Sequence, residues 1–274
     1  MYVHSLHIYP IKGGQRHTLS QTKALQTGLQ QDREFMLIDA NGKFVSQRSL
    51  PQLTLLKTEF YDQVIRISYQ EEVCEVDTRA ECDQRTAYVW SDEILVHDLG
   101  DTVATALSAM FQRELRLVAL DRHKLRQVKP VYTDQKTVSF GFADGFPYLI
   151  CTLESLEDLN RRLEQKSQPR VPMDRFRPNI VLGGGSAFLE DEIDTLSIGT
   201  LKFKLCKSCT RCNVTTIDQQ TGRASKEPLA TLASYRYDPV FKGVTFGQNA
   251  YLLEGHGSLI KTGDTVAWTM KPSR

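Results

Sequence analysis

The chain has 274 residues, enough for one large or two ordinary domains, and its 41% hydrophobic and 24% charged residues are typical of a soluble folded protein. Its 34 basic and 33 acidic residues give a net charge of +1, which argues against general nucleic-acid binding, because such domains carry a marked basic excess. No run approaches the roughly 18 apolar residues that span a bilayer, and the N-terminus lacks the apolar segment of a signal peptide. We therefore expect a cytoplasmic protein without membrane contact, whose six cysteines are thiols or ligands rather than disulfides.

The first elements in chain order are a strand-like start and two turns rich in glycine and charge. The stretch IYPIKGGQ (8–15) ends in a glycine pair, and QDREFML (31–37) carries a second group of charges. Backbone N–H groups of glycine loops can approach an anion, and Lys12 or Arg33 can add positive charge. Taken alone, each feature is weak, because a lysine before a turn is usually just solvated.

The next segments predict a hairpin, a strand and a helix. Residues 34–45 predict the hairpin, because the Asn-Gly pair readily supplies the positive φ angles of a tight turn. The alternation in VIRISY (64–69) predicts a half-buried strand. In residues 101–115 the apolar side chains follow a helical stripe, and Asp101 is the expected N-cap.

Residues 121–137 are the best candidate for a domain boundary. Between Asp121 and Asp134 this segment has no acid and carries Arg122, His123, Lys124, Arg126 and Lys129, which fits either a solvated linker or an anion-facing loop between two domains. The leucine spacing in TLESLEDLNRRLEQ (152–165) then predicts an amphipathic helix with Thr152 as its N-cap.

The second half of the chain continues the strand-rich pattern. In DRFRPNIVL (174–182), Arg177 and Asn179 precede an apolar run, so this segment either holds a ligand or caps loops by hydrogen bonding. LKFKL (201–205) alternates as a strand, and residues 226–236 predict a helix that opens at Glu-Pro. The chain is therefore mainly β with a few helices (α+β), and it lacks the βαβ alternation of a doubly wound dinucleotide fold.

Three cysteines spaced three residues apart occur in KLCKSCTRCNVTTID (204–218). Structural zinc needs four ligands, and no partner pair is present; a ferredoxin-type cluster run lacks its fourth cysteine. A thioredoxin-like pair would open a helix, but β-branched residues follow. Three small buried hydrophobes remain an alternative. Against it, Arg211 precedes Cys212 and would favour the thiolate, and a lone soft thiolate suits a metal whose other ligands come with a cofactor.

Together these pieces resemble MOSC-domain proteins of the mitochondrial amidoxime-reducing component (mARC) and bacterial YcbX type. The matching stretches, in the order found in that family, are YPIKGG, QDREF, FRPNIVL, CTRCNVTTIDQQTG, SKEPLATLASYR and FGQN. The resemblance covers nearly the whole chain. It implies a β-barrel-like MOSC N-terminal domain, which we place at residues 1–120, and a β-rich MOSC domain at residues 121–274. It also implies a molybdenum cofactor (Mo-molybdopterin) between the two.

The resemblance also implies the site residues. One cysteine thiolate binds molybdenum directly in that family, and the matching position is Cys212, which would be both metal ligand and catalytic residue. Cys206 and Cys209 have no implied metal role, and we expect Cys209 to be structural. The implied cofactor contacts are Lys12, Gly13, Arg33, Asp144, Gly145, Phe146, Arg177, Asn179, Thr210, Arg211 and Asn249. Gly13 and Asn249 stand where animal members have serine and tyrosine, so hydroxyl contacts are lost there.

The implied activity is two-electron reduction of N-hydroxylated compounds: amidoximes, hydroxylamines and N-hydroxylated bases. Bacterial relatives often continue into a ferredoxin-like domain, and this chain does not, so we expect a separate flavin or iron–sulfur donor protein unless the chain is a fragment. His123 and Asp144 are both candidates for a general acid. Two other functions stay open: a cysteine persulfide sulfur carrier, and a non-catalytic carrier of the cofactor.

Overall fold

The computed structural model describes residues 1–78 and 82–272. Over these residues the strands, numbered β1 to β21 in chain order, are Tyr2–Ile8, His17–Leu19, Gln21–Leu25, Gly28–Leu29, Phe35–Ile38, Lys57–Tyr61, Val64–Tyr69, Glu72–Asp77, Asp83–Val89, Asp92–Asp98, Arg116–Leu120, Arg126–Gln127, Ser139–Phe140, Tyr148–Thr152, Ile180–Gly183, Ile193–Ile198, Leu201–Thr210, Tyr237–Asp238, Gly243–Glu254, Leu259–Lys261 and Ala267–Met270. The α-helices in the same ranges are α1 (Asp101–Phe111), α2 (Leu153–Gln165) and α3 (Leu229–Ala233). Short 3₁₀ turns lie at Pro51–Leu55, Pro130–Tyr132, Met173–Phe176, Leu189–Asp191 and Asn213–Thr216. Strands dominate, which confirms the predicted mainly β fold with a few helices.

The largest sheet in the described residues has the strand order β2-β1-β15-β14-β19-β17-β16-β21, with β18 paired to β19. Strand β14 runs parallel to β15, while β1 pairs antiparallel with β15 and sets Tyr2 opposite Gly183. The long strands β17 and β19 form the centre of the second half of the chain and pair from Lys202 to Thr210. The first strand of the chain is therefore part of a sheet built mainly from the second half.

The remaining first half forms two smaller sheets around a separate apolar cluster. Their strand orders are β5-β11-β10-β9 and β6-β7-β8. Helix α1 packs on this cluster through Val103 and Leu107, which contact the same core as Ile65 and Ile67 of β7. The third small sheet, β20-β3-β4, joins the first residues of the chain to its last part, with Ile260 opposite Thr22.

Most predicted elements are present, with shifted ends. Strand β7 covers residues 64–69 as predicted, and the strand predicted at 201–205 extends to Thr210. Helix α2 starts after Thr152, whose side chain accepts a hydrogen bond from the Ser155 N–H, so the predicted cap is confirmed. Helix α3 is shorter than predicted. It begins after Pro228, ends at Ala233 and is five residues long.

Two local predictions need correction. The N-cap of α1 is Gly100, with no side-chain cap bond, so Asp101 lies in the first turn rather than capping it. The helix also ends at Phe111, because Gln112 adopts a left-handed conformation with φ of 50°. In the predicted hairpin at residues 34–45, Ile38 does bridge to Phe44, but only Gly42 of the Asn-Gly pair has a positive φ, at 75°.

The basic segment at residues 121–137 is packed against the first half of the chain. Arg122 forms an ion pair with Glu34 at 2.7 Å, and Arg126 forms one with Asp92 at 2.8 Å. Arg126 also donates to the Ala143 carbonyl at 2.7 Å. These basic side chains thus find their acids in other elements, which sequence spacing could not reveal. None of the described helices is long and apolar enough to cross a membrane.

A buried carboxylate lies behind the start of α2. Glu190 is fully buried and accepts hydrogen bonds from the hydroxyls of Thr152 at 2.9 Å and Ser155 at 2.8 Å. Burial disfavours its charged form, so its pKa is raised to about 7; the Ser155 hydroxyl opposes this shift and the charge of Asp191 adds to it. Between the unfolded-state pKa of 4.5 and the folded-state pKa of about 7, Glu190 is therefore protonated in the folded protein and ionised in the unfolded chain.

We expect this carboxylate to make the protein less stable as pH rises. A raised folded-state pKa contributes stability that is fully present below the unfolded value of 4.5 and lost as pH rises through about 7. Between pH 5 and 8 the wild type should lose about 2–3 kcal/mol of unfolding free energy that Glu190→Gln does not lose. Urea unfolding of both proteins at the two pH values measures this difference, and parallel pH dependences would contradict it.

Candidate functional site

One pocket of about 290 Å³ gathers residues from both halves of the chain. All twelve predicted site residues lie on its wall: Lys12, Gly13, Arg33, Asp144, Gly145, Phe146, Arg177, Asn179, Thr210, Arg211, Cys212 and Asn249. Among the described residues that line it, seven are basic and one, Asp144, is acidic. On a chain with a net charge of +1 this is a local positive excess, as expected for a site that binds an anion.

The strands β17 and β19 position one wall. Lys207 lies opposite Asn249, and the pairing is irregular between Ser208 and Thr210. Side chains normally alternate along a strand, but such an irregularity lets the neighbours Cys209 and Thr210 both line the pocket. Strand β19 also needs Gly247, since a Cβ there would lie 2.5 Å from the sulfur of Cys151.

Two arginines flank Tyr9 at the pocket floor. The guanidinium carbons of Arg33 and Arg177 lie 4.4 Å and 4.1 Å from the centroid of the buried Tyr9 ring. Arg33 is ion-paired with Asp32, and its second amino group donates to the Arg177 carbonyl at 3.0 Å. The 3₁₀ turn before Arg177 is held by Phe176, which stacks on Phe246 with ring centroids 3.9 Å apart. These contacts fix both cations before any ligand arrives.

Arg177 has hydrogen-bonding capacity to spare. Its Nη1 donates to the Gly14 carbonyl at 2.9 Å and to Gln219 at 3.2 Å, whereas its Nη2 is buried and has no partner. Burial lowers its pKa to about 10, so the side chain is still cationic at neutral pH. The Nε atoms of Arg175 and Arg211 are likewise buried and unpartnered. Buried donors without partners are rare, and an anionic ligand would satisfy them.

Lys12 and Asp144 form an ion pair at 2.5 Å, and the Lys12 ammonium also donates to the Phe142 carbonyl at 2.8 Å. Burial lowers the pKa of Lys12, although Asp144 opposes the shift. For Asp144, loss of solvent acts to raise the pKa, but attraction to Lys12 and Arg33 outweighs it and the pKa lies below its usual value. Asp144 is therefore ionised at neutral pH and is a poor proton donor. The other candidate acid, His123, is exposed and does not line the pocket.

Asn179 lies on the pocket wall, but its amide already binds protein groups. Its nitrogen donates to Asp32 at 2.9 Å and to the His7 carbonyl at 3.3 Å, and its oxygen accepts from the Leu149 N–H at 3.1 Å. This residue holds β1 and β14 together. Its predicted contact to a cofactor stays a prediction.

The three spaced cysteines have three different environments. Cys206 is half-buried outside the pocket lining, and burial raises its pKa to about 12. Cys209 lines the pocket and accepts a hydrogen bond from Nη1 of Arg211 at 2.7 Å. Cys212 is exposed on the pocket wall at the start of the 3₁₀ turn Asn213–Thr216. Within residues 1–78 and 82–272, no group of three or more His, Cys, Asp or Glu side chains is placed to hold a metal, so Cys212 does not belong to such a group.

The position of Arg211 corrects the sequence analysis. Arg211 was expected beside Cys212, yet its direct contact is with the sulfur of Cys209, and its electrostatic interaction with Cys212 is the weaker one. Cys209, expected to be only structural, lies in the site itself. Arg211 lies just beyond the end of β17, where the chain leaves the strand, and from there its side chain reaches back to the cysteine two positions earlier.

Sequence reasoning also missed several residues of the pocket wall. Arg48, Trp90 and Lys207 line it together with Gln47, whose amide donates to the Gly13 carbonyl at 2.7 Å. Nothing in the local sequence marks Trp90, which lies at the tip of the β9–β10 hairpin. Only the folding of that hairpin toward residues 143–146 brings it to the site.

Comparison with known families identifies both halves of the chain. The family described as the MOSC N-terminal beta barrel domain matches residues 1–114, and the MOSC domain family matches residues 137–267. The chain belongs to the MOSC family. The matches fall on either side of the boundary that we placed between residues 120 and 121, and the dividing point itself stays a prediction.

Curated relatives share nearly the whole length of this MOSC chain. It is 34% identical to mouse mitochondrial amidoxime-reducing component 1 over 96% of this chain and 81% of the relative, and 32% identical to the human protein over 96% and 82%. It is also 29% identical to the molybdenum cofactor sulfurase of Arabidopsis thaliana over 86% of this chain, but only 31% of that longer protein. The comparisons point to a molybdenum cofactor, as the sequence predicts.

Proposed function

We propose that this MOSC protein binds a molybdenum cofactor with Cys212 as its protein ligand and reduces N-hydroxylated compounds to the corresponding amines or amidines. One observation carries the proposal. A single exposed thiol lies on the wall of a pocket with a strong basic excess, which suits a cofactor that brings both an anionic phosphate and its own metal ligands.

The phosphate end of such a cofactor fits the unpartnered donors of Arg177 and Arg211. The backbone of Gly13 can approach the same ligand, because this residue has a φ of 88° and a Cβ there would lie 3.2 Å from Leu53. Gly145 has no atom within 4 Å of the position that a Cβ would take, so its backbone is equally accessible. The residues of this pocket therefore match the chemistry of the predicted group.

When bound, the cofactor supplies two-electron reduction coupled to oxygen-atom transfer. The overall reaction takes R–NH–OH, two electrons and two protons to R–NH₂ and water, with cleavage of the N–O bond. A separate flavin or iron–sulfur protein would supply the electrons. In the protein, Lys12 stays paired with the ionised Asp144 and can donate a hydrogen bond into the pocket, and Cys212 offers the soft donor.

Sulfur transfer is the second candidate function. The similarity to a molybdenum cofactor sulfurase and the presence of two cysteines, Cys209 and Cys212, on the pocket wall favour it. A non-catalytic cofactor carrier would use the same pocket without turnover. The cytoplasmic location also belongs to this proposal, and cell fractionation tests it.

The test is expression in a host that makes the cofactor and is supplied with molybdate. We expect near-stoichiometric molybdenum and conversion of benzamidoxime to benzamidine with a chemical reductant, at a rate proportional to the molybdenum content. Molybdenum-free protein that carries a persulfide would favour sulfur transfer instead. Fully loaded protein without turnover would identify a carrier.

A further inference from the structure

Two groups of basic and aromatic side chains contribute to the pocket, and apart from Phe146 none of their members is among the implied cofactor contacts. The first, the Trp90 cluster, consists of Phe44, Arg48 and Trp90. The Arg48 guanidinium carbon lies 4.4 Å from the Trp90 ring centroid, and the Phe44 ring meets the same indole edge-on at 4.8 Å. All three residues line the pocket.

The second, the Lys207 cluster, consists of Tyr132, Phe146, Lys207 and Phe241. The Lys207 ammonium lies 5.1 Å, 6.0 Å and 5.3 Å from the ring centroids of Tyr132, Phe146 and Phe241. Lys207 and Phe146 line the pocket. A single cation thus faces three aromatic rings.

The cations of these clusters are not neutralised by acids. Lys12, Arg33 and Arg175 each form an ion pair, with Asp144, Asp32 and Asp218 respectively. By contrast, no carboxylate of residues 1–78 or 82–272 pairs with Arg48 or Lys207. The cofactor phosphate is already matched by the unpartnered donors of Arg177 and Arg211. Two positive charges are therefore left over for a second anion.

The position of Trp90 is fixed by a tight turn and not by burial. Trp90 begins a two-residue turn in which Val89 pairs with Asp92, and its φ of 58° is a conformation that bulky side chains rarely adopt. Its side chain is 49% exposed, so burial does not explain the choice of tryptophan. It also faces Asp144 and helps to lower the pKa of that carboxyl.

We infer that the two clusters form a substrate subsite for planar N-hydroxylated ring compounds that carry an anionic group, a phosphate or a carboxylate. This inference rests on the proposed function. The ring of the substrate stacks on the exposed Trp90. The anion binds Arg48 or Lys207 rather than the neutralised Lys12–Asp144 pair. Ring and charge are both needed, so neutral planar substrates bind more weakly.

Trp90 supplies a direct optical test of binding that needs no turnover. The chain has two tryptophans, so a Trp268→Phe background leaves Trp90 as the sole indole fluorophore. The molybdenum-loaded protein is titrated with three non-reducible probes: AMP (ring and anion), adenosine (ring alone) and ribose 5-phosphate (anion alone). We expect AMP to quench the fluorescence and to bind about tenfold more tightly than either of the other probes.

Charge removal then separates this inference from nonspecific attraction. Arg48→Met and Lys207→Met should each raise the Kd of AMP several-fold and leave that of adenosine unchanged. Arg66→Met and Lys23→Met remove exposed charges outside the pocket and should change neither. Equal binding of AMP and adenosine, equal effects of the control variants, or no quenching by any probe would overturn the subsite. The probes are not reduced, so their binding can be measured even if the molybdenum-loaded protein does not reduce N-hydroxylated compounds.

The kinetic counterpart uses reducible compounds. In protein that turns over, 4-carboxybenzamidoxime should have a lower KM than benzamidoxime, with similar kcat, and Arg48→Met should reduce that preference. An unchanged preference in both charge variants would contradict the subsite even if AMP binds.

Discussion

Replacing Cys212 with serine should abolish molybdenum retention and, with it, reduction of N-hydroxylated substrates. A hydroxyl is a poor substitute for the soft thiolate that molybdenum favours, and no neighbouring group of protein ligands can take over in the described residues. The side chain is exposed at the start of a turn, so the substitution should leave the fold intact. Metal analysis of protein from a cofactor-producing host measures the loss, and we expect at least a tenfold decrease.

Cys209→Ser is the matched control, because this cysteine lies in the same strand–turn segment and on the same pocket wall. It should keep its molybdenum, since its sulfur already accepts a hydrogen bond from Arg211, which a serine hydroxyl can replace. A modest loss of activity is compatible with the disturbed arginine. Loss of the metal in Cys209→Ser with retention in Cys212→Ser would reverse our assignment of the ligand.

Replacing Arg177 with methionine should have the second largest effect, on affinity for the cofactor. The substitution removes a buried cation with an unpartnered donor, and hydrogen bonds to charged groups contribute about 1.5–3 kcal/mol each, so we expect about 10- to 100-fold weaker binding. Arg177→Lys keeps the positive charge but loses the planar guanidinium group. Its affinity for the cofactor should lie between those of the wild type and Arg177→Met. Cofactor content after dialysis, determined by oxidation of the pterin to a fluorescent product, gives the order of the three proteins.

Arg177 also donates to the Gly14 carbonyl, so a stability control is needed. Arg116→Met removes an arginine paired with Asp98, away from the pocket. It should lower the melting temperature without lowering the cofactor content of the folded fraction. If Arg177→Met retains the cofactor as tightly as wild type, the phosphate is bound elsewhere in the pocket.

Local patterns predicted the elements whose structure is decided locally. Helix α2 follows from leucine spacing and from the capping hydroxyl of Thr152, both of which act within a few residues. Strand β7 follows from strict alternation. The end of α1 was missed because nothing in the sequence marks Gln112 for a left-handed conformation.

The residues of the site also divide into those that the sequence predicted and those that it missed. The twelve predicted residues are those that the resemblance to the MOSC family implies, and the fold brings all of them to one pocket. Trp90, Arg48 and Lys207 were missed, because their positions depend on how distant strands pair and on where the β9–β10 hairpin lies. The contact between Arg211 and Cys209 was missed for a smaller reason. Proximity in sequence suggested Cys212, whereas the turn of the chain after the end of β17 brings the Arg211 side chain to Cys209.

Strands β1 and β3 pair with strands from much later in the chain, and this pairing affects folding during translation. Leu6 pairs with Ile180, and Thr22 pairs with Ile260, so the earliest residues to emerge wait for nearly the last ones. At roughly 5–20 residues per second, translation leaves one edge of each of these strands unpaired for on the order of 10 s or more, although β2 and β4 can already pair with the other edge. During that time their exposed edges are open to association with other nascent chains. We therefore expect chaperones that shield β1 and β3 during synthesis to increase the yield of folded protein.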